Sequence, residues 1–178
     1  LNEYSKKGSK LGKVIRLFID TLAGIPSIVF GLFGNIFFVA ICGGRYSIIA
    51  GSLTMVLIVL PTIVRSTEES LREVADSMRE GSLALGASKV RTIFKIVLPS
   101  ALSGIVTSII LSIGRIVGES AALIYTAGAV IGMAAGYRSS GMTFAVAMYK
   151  LTQTGRAGDM EKAYAIAVVL LVIVVAPN

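Results

Sequence analysis

From Thr21 to Gly44 the chain carries no charged residue, and after Arg45 the run Tyr46–Val64 is again free of charge. At about 1.5 Å of rise per helical residue, each run is long enough to cross a hydrocarbon core of about 30 Å. Lipid offers no partner to an open backbone amide, so such runs must be helical. Only Gly43-Gly44-Arg45 separates the two, which predicts a tight helical hairpin. Ile96–Gly114 is a third uncharged window, whose helix is expected to continue through Arg115 and Glu119 toward Ala122. A fourth apolar run begins at Ala163. Hydrophobic residues make up 54% of the 178 positions and charged ones only 15%, against about 25% charge in soluble domains. The expected fold is all-α, a multi-span transmembrane helical bundle forming one domain over residues 1–178. Histidine is absent and Cys42 is the only cysteine. Histidine-based triads, Cys/His zinc sites, c-type haem and an internal disulfide are therefore excluded, and no metal site is expected.

The net charge of +7 is spread between apolar runs rather than gathered on one face, which argues against nucleic acid and for basic inner loops. Lys6, Lys7, Lys10, Lys13 and Arg16 precede the first window. Arg65, Arg72, Arg79, Lys89, Arg91 and Lys95 follow the second. Alternating spans put both groups on one side, opposite the sparser Arg45, Arg138, Lys150, Arg156 and Lys162. The N-terminal stretch and 65–99 are thus expected in the cytoplasm, in a multi-pass protein of the inner or plasma membrane. The start at Leu1, without a signal-peptide pattern, and the end at Asn178 suggest the interior and C-terminal part of a longer protein. Pro26 and Pro61 are expected to kink their spans, and Gly31 and Gly34 to allow close helix approach. Gly128, Gly132 and Gly136, four apart, read as a packing seam on a helix or as a re-entrant outer segment.

Residues 65–99 are the most informative. Ser66-Thr67-Glu68-Glu69 reads as a capping box that starts a helix. Leu71, Val74, Ala75, Met78, Ser82 and Leu85 then form a small or apolar stripe. Glu69, Arg72, Glu73, Asp76, Arg79 and Glu80 form a solvated face. Gly86 should end this helix, Ser88 should cap a second one with Val90, Ile93, Phe94 and Val97 on its apolar side, and Pro99 should end that one at the membrane. An amphipathic linker on the lipid surface would satisfy the same pattern.

The spacing is more specific than that. Glu80, Gly86 six residues on, Ile96 and then Leu98-Pro99 resemble the EAA loop of ABC importer permeases. Average residue usage makes five such fixed positions a chance event on the order of 10⁻⁶ per starting point. Gly81-Ser82 stands where that family has two alanines. Further stretches are similar to the phosphate importer permeases: Ala23 to Gly31, Arg65 to Glu69, Leu83 to Ala87, and Gly114 to Ser120. Arg-Ser-Thr-Glu-Glu at 65–69 and Ala-Leu-Ile-Tyr-Thr-Ala-Gly at 122–128 favour the PstA-type subunit, while 138–160 matches poorly. The resemblance implies a type I importer permease fold lacking about two N-terminal spans and the C-terminal end. It implies a cytoplasmic helix-turn-helix over 66–98 whose Glu80, Gly81, Ser82, Gly86, Ile96, Leu98 and Pro99 couple to a dimer of ATP-binding subunits. A second homologous permease, an extracytoplasmic phosphate-binding protein and membrane lipid complete the implied partners.

Arg115 and Glu119, four apart, are expected to share one face of the third span. Counted from Pro99, Arg115 lies roughly 24 Å along the helix, where a charge costs at least about 2.5 kcal/mol. Such a pair either stabilises helix packing or serves an anion route, since a planar guanidinium matches phosphate oxygens. In the resembling family this arginine and glutamate are associated with transport. No Gly-x-x-x-x-Gly-Lys-Ser/Thr loop is present, so ATP is expected on a separate subunit and no cofactor on this chain. Alternative readings are a permease for another oxyanion such as sulfate or molybdate, and an intramembrane enzyme using Ser108, Ser112 or Glu119, for which no base partner is apparent.

Overall fold

The computed structural model describes residues 9–130 and 134–176, and among them it is helical with no strand. Lys6, Lys7 and Gly132 lie outside the described residues. The helices are α1 (Lys10–Ala23), α2 (Ser27–Gly34, prolonged by a π turn over Asn35–Val39), α3 (Ile48–Glu73) and α4 (Asp76–Ala84). There follow α5 (Lys89–Thr92, running through a π turn at Ile93–Val97 into α6, Leu98–Gly118), α7 (Ala121–Ile124), α8 (Phe144–Thr154) and α9 (Asp159–Val175). Ile48–Glu73 and Lys89–Gly118 are each long and apolar enough to cross a membrane, and α1 with the α2 segment forms a third candidate as a broken span.

Three expected boundaries are corrected. The first window is not one kinked helix. Pro26 has no N–H and pushes Ile25 out of the helical region, so α1 ends at Ala23 and Pro26, with ψ 141°, stands as the N-cap of α2. No helix begins at the expected capping box. Helix α3 runs unbroken through it, and the Ser66 hydroxyl donates back to the Thr62 carbonyl at 3.0 Å. The break comes instead at Ala75, with ψ 136°. Nor does Pro99 end a helix. The π turn just ahead of it widens the ladder where the ring would otherwise meet the carbonyl four residues back, and the helix continues to Gly118.

The chain divides into two compact units. The first comprises Leu1–Ala23 and Pro61–Ile110, described from Ser9 onward. Its core is Val74, Val97 and Ala101, with Leu71 and Ile105 packed around them. Gly104 lies against Ser70, where any Cβ would come within 2.9 Å of the serine Cβ. Two ion pairs tie α1 to α3: Arg16 with Glu68 at 2.5 Å, and Asp20 with Arg65. Both are partly exposed, so each contributes about 0–1 kcal/mol.

The second unit comprises Gly24–Leu60 and Leu111–Asn178. Here α2 crosses α7 at Gly31, whose Cβ would sit 2.7 Å from the Ala122 Cα, and Gly34 nests between Thr54 and Thr126. The expected close approach at Gly31 and Gly34 is present. The seam on a helix is not, because neither Gly128 nor Gly136 is helical. Carbonyls of this segment instead cap the start of α3: Thr126, Ser139 and Tyr137 accept the N–H groups of Ser47, Ile48 and Ile49, each at 3.1 Å.

Both units show one pattern of burial. Thr54, Ser70, Ser108, Ser112 and Thr126 are buried, while Val168, Leu171 and Phe18 are more than half exposed. Most of the buried hydroxyls are satisfied within their own helices, as Thr54 is by the Ala50 carbonyl at 2.9 Å. Small polar residues sharing the interior with apolar ones such as Phe30 and Ile58, and many large apolar residues turned outward, is how helices pack when lipid is the solvent.

Candidate functional site

The turn between α4 and α5 is built by Gly86. Its φ of +81° carries the chain back on itself. The Gly86 N–H donates to the Leu83 carbonyl at 2.9 Å and the Ala87 N–H to the Ser82 carbonyl at 3.2 Å, a Schellman closure of α4. Ser88 caps the next helix as expected, its hydroxyl accepting from the Arg91 N–H at 3.3 Å. Ser82 is buried, and its hydroxyl meets that of Thr92 at 2.9 Å, bonding α4 to α5 across the hairpin. The sequence placed Ser82 in the small or apolar stripe and, by resemblance, among the coupling residues, but did not point to Thr92 as its partner. A hydroxyl at each of two facing helical positions was the available signal.

Arg79 is corrected from the solvated face. Its guanidinium donates to the Leu71 carbonyl at 2.6 Å and the Val74 carbonyl at 2.5 Å, and pairs with Asp76 at 3.2 Å. It closes the C-terminal end of α3, where carbonyls lack partners and a cation is favoured. The apolar stripe is corrected as well. Val74 and Ser82 are buried, but Met78 is 45% and Leu85 91% exposed, and on the second arm Val90 and Phe94 are exposed while Val97 is buried. Glu80 and Gly81 are exposed, with open space where a Gly81 Cβ would lie. Ile96 sits in the π turn, half-buried like Leu98, and Pro99 is exposed. The hairpin therefore has a bonded interior and an open surface carrying Glu80, Leu85 and Phe94.

Arg115 and Glu119 do not share a helix. Helix α6 stops at Gly118, and the Glu119 carboxylate turns onto the start of α7, its Oε1 accepting from the Ala122 N–H at 3.1 Å. Free N–H groups at a helix start compete well for a carboxylate. Arg115 is exposed and forms no ion pair with Glu119 among the described residues. Nor do the described residues hold a cluster of three or more His, Cys, Asp or Glu suited to a metal ion.

Residues 4–177 match the profile of the binding-protein-dependent transport system inner membrane component. The chain belongs to this family. As a member it is a membrane protein and a transport permease component rather than an enzyme. It is similar to the probable ABC transporter permease protein YqgI of Bacillus subtilis, 44% identical over 120 residues, covering 67% of this chain and 41% of that protein. It is also similar to the phosphate transport system permease protein PstA 1 of Mycobacterium tuberculosis H37Rv, 45% identical over 119 residues, 67% of this chain and 39% of the relative. The PstA of Xylella fastidiosa 9a5c is 44% identical over 127 residues, 71% of this chain and 44% of the relative. The matched part of this permease-family chain thus spans about 40% of the length of these relatives.

Proposed function

We propose that this chain is the membrane-spanning part of a PstA-type permease subunit in an ATP-driven importer of inorganic phosphate. The observation that carries the reading is the 45% identity to a protein named as a phosphate transport permease, over two thirds of the chain. The arrangement of the hairpin supports the rest. Its exposed Glu80, Leu85 and Phe94 suit docking on an ATP-binding subunit, while the Ser82–Thr92 bond and the Gly86 turn hold the two arms as one body. A push on that body is passed to the helix that runs on from Lys89 to Gly118, near whose far end Arg115 stands exposed to meet an anion. ATP is bound and hydrolysed by a cytoplasmic dimer of partner subunits, and this chain carries no cofactor. A second homologous permease completes the path, and an extracytoplasmic binding protein delivers phosphate. The N-terminal stretch and 65–99 face the cytoplasm of an inner or plasma membrane.

The test is ATP-driven uptake of labelled phosphate by the full-length protein reconstituted with its ATPase, partner permease and binding protein. Uptake should require ATP and persist in excess sulfate or molybdate. Uptake of sulfate with none of phosphate would replace the assigned substrate.

A further inference from the structure

Two arginines far apart in sequence come together at the N-terminal end of α3. Arg45 follows the Gly43-Gly44 turn, just ahead of the helix. Arg138 is brought there because its neighbours Tyr137 and Ser139 accept the N–H groups of Ile49 and Ile48. Both line one open cavity of about 930 Å³, together with Asn35, Tyr46, Ser139 and Ser140. Among the described residues no acidic one lines it. Both arginines are exposed, and among the described residues neither guanidinium has an ion-pair partner.

We infer that this cavity is a receiving site for a phosphate-class oxyanion at the end of α3 opposite Arg65. The first N–H groups of α3 are already taken by carbonyls, so the helix start is not the donor. The Ser139 and Ser140 hydroxyls are likewise committed, to the Gly136 and Ala127 carbonyls. Asn35 donates to the Tyr125 carbonyl at 2.7 Å, and the cationic donors in the wall are the two guanidinium forks, whose planar N–H groups match tetrahedral oxyanions. The cavity is far larger than one such ion, so the anion is held hydrated and by charge. Two like charges in a concave wall raise the local anion concentration without trapping the ion, and salt screens the effect over about 8 Å. That suits a site that receives an ion and passes it on. The inference rests on the importer reading only for the direction of traffic and for the free ion as its source.

The full complex in nanodiscs of zwitterionic lipid is treated with phenylglyoxal, and modification of each arginine is read by peptide mass spectrometry. Millimolar inorganic phosphate should protect Arg45 and Arg138, and chloride at equal ionic strength should not. Protection already complete in phosphatidylglycerol discs without phosphate would support the same site with a lipid headgroup as its source. In uptake assays at saturating phosphate-loaded binding protein, the Arg45→Gln/Arg138→Gln variant should lower uptake about three- to tenfold at low salt, and the Arg45→Lys/Arg138→Lys variant should recover most of that. Absence of protection in both lipids, with unchanged uptake in the glutamine variant, overturns the site. So does loss of binding-protein capture in the glutamine variant without any anion protection, which would make these residues a protein interface. A wild-type complex that takes up no phosphate would instead sink the importer reading and leave the protection result to stand alone.

Discussion

Single side chains in the hairpin act by closing backbone ends. Arg79 satisfies two carbonyls at the end of α3, and only 17% of its side chain is exposed. Replacing it by alanine leaves those carbonyls without that donor. Arg79→Ala should cost about 1–3 kcal/mol of stability, with Arg79→Lys in between, measured by unfolding in detergent followed by circular dichroism. A neutral Arg79→Ala would mean that water serves the carbonyls as well. The same competition explains Glu119. A carboxylate four residues from an arginine pairs with it only while the helix continues, and at Gly118 the helix ends. The charge then goes to the nearest free donor, the Ala122 N–H.

Among elements, the α4–α5 turn depends on backbone geometry rather than on space. A Cβ at Gly86 would meet nothing within 4 Å, yet φ there is +81°. Gly86→Val should therefore strain the turn by about 1–2 kcal/mol. Membrane insertion should survive and capture of the ATPase subunit should weaken. Normal capture and normal uptake in that variant would refute the coupling role. The turn between α8 and α9 is held differently. The Thr154 hydroxyl donates to Asp159 Oδ2 at 2.7 Å, and Lys162 adds a contact to Oδ1 at 3.3 Å. The Thr154 bond, helped by Lys162 and Arg156, holds the Asp159 carboxyl below the usual carboxylate range, against the desolvation that raises it. A lowered folded-state pKa stabilises above the unfolded value of about 3.9 and is lost as pH falls through the folded value. Amide exchange at 155–159 should be flat from neutral pH to about pH 4, after correction for intrinsic rates, and rise only in stronger acid. Thr154→Val should move that rise to higher pH, and an unmoved rise would remove the threonine from the account.

For the whole molecule, the testable quantity is sidedness. Single cysteines placed near Lys89 and near Arg138 in a Cys42→Ala background should label from opposite faces of sealed vesicles, the Lys89 site only from inside. Labelling of both from one face would overturn the span order. Much of this protein was legible in one dimension. Charge-free runs of sufficient length require helices, and Gly86 and Ser88 announce their turn and cap, because each is a local property of a few residues. Tertiary structure decided the rest. The Ser66 box lost to an unbroken α3, because a helix already underway gains one bond per residue and a cap signal has nothing to start. Pro99 stayed inside its helix because a π turn accommodated the ring. Arg79 and Thr92 found partners on other helices, and Arg45 and Arg138 line one cavity only because a loop far along the chain caps the start of α3. No spacing rule contains those meetings, since each depends on which segment comes to satisfy another's backbone.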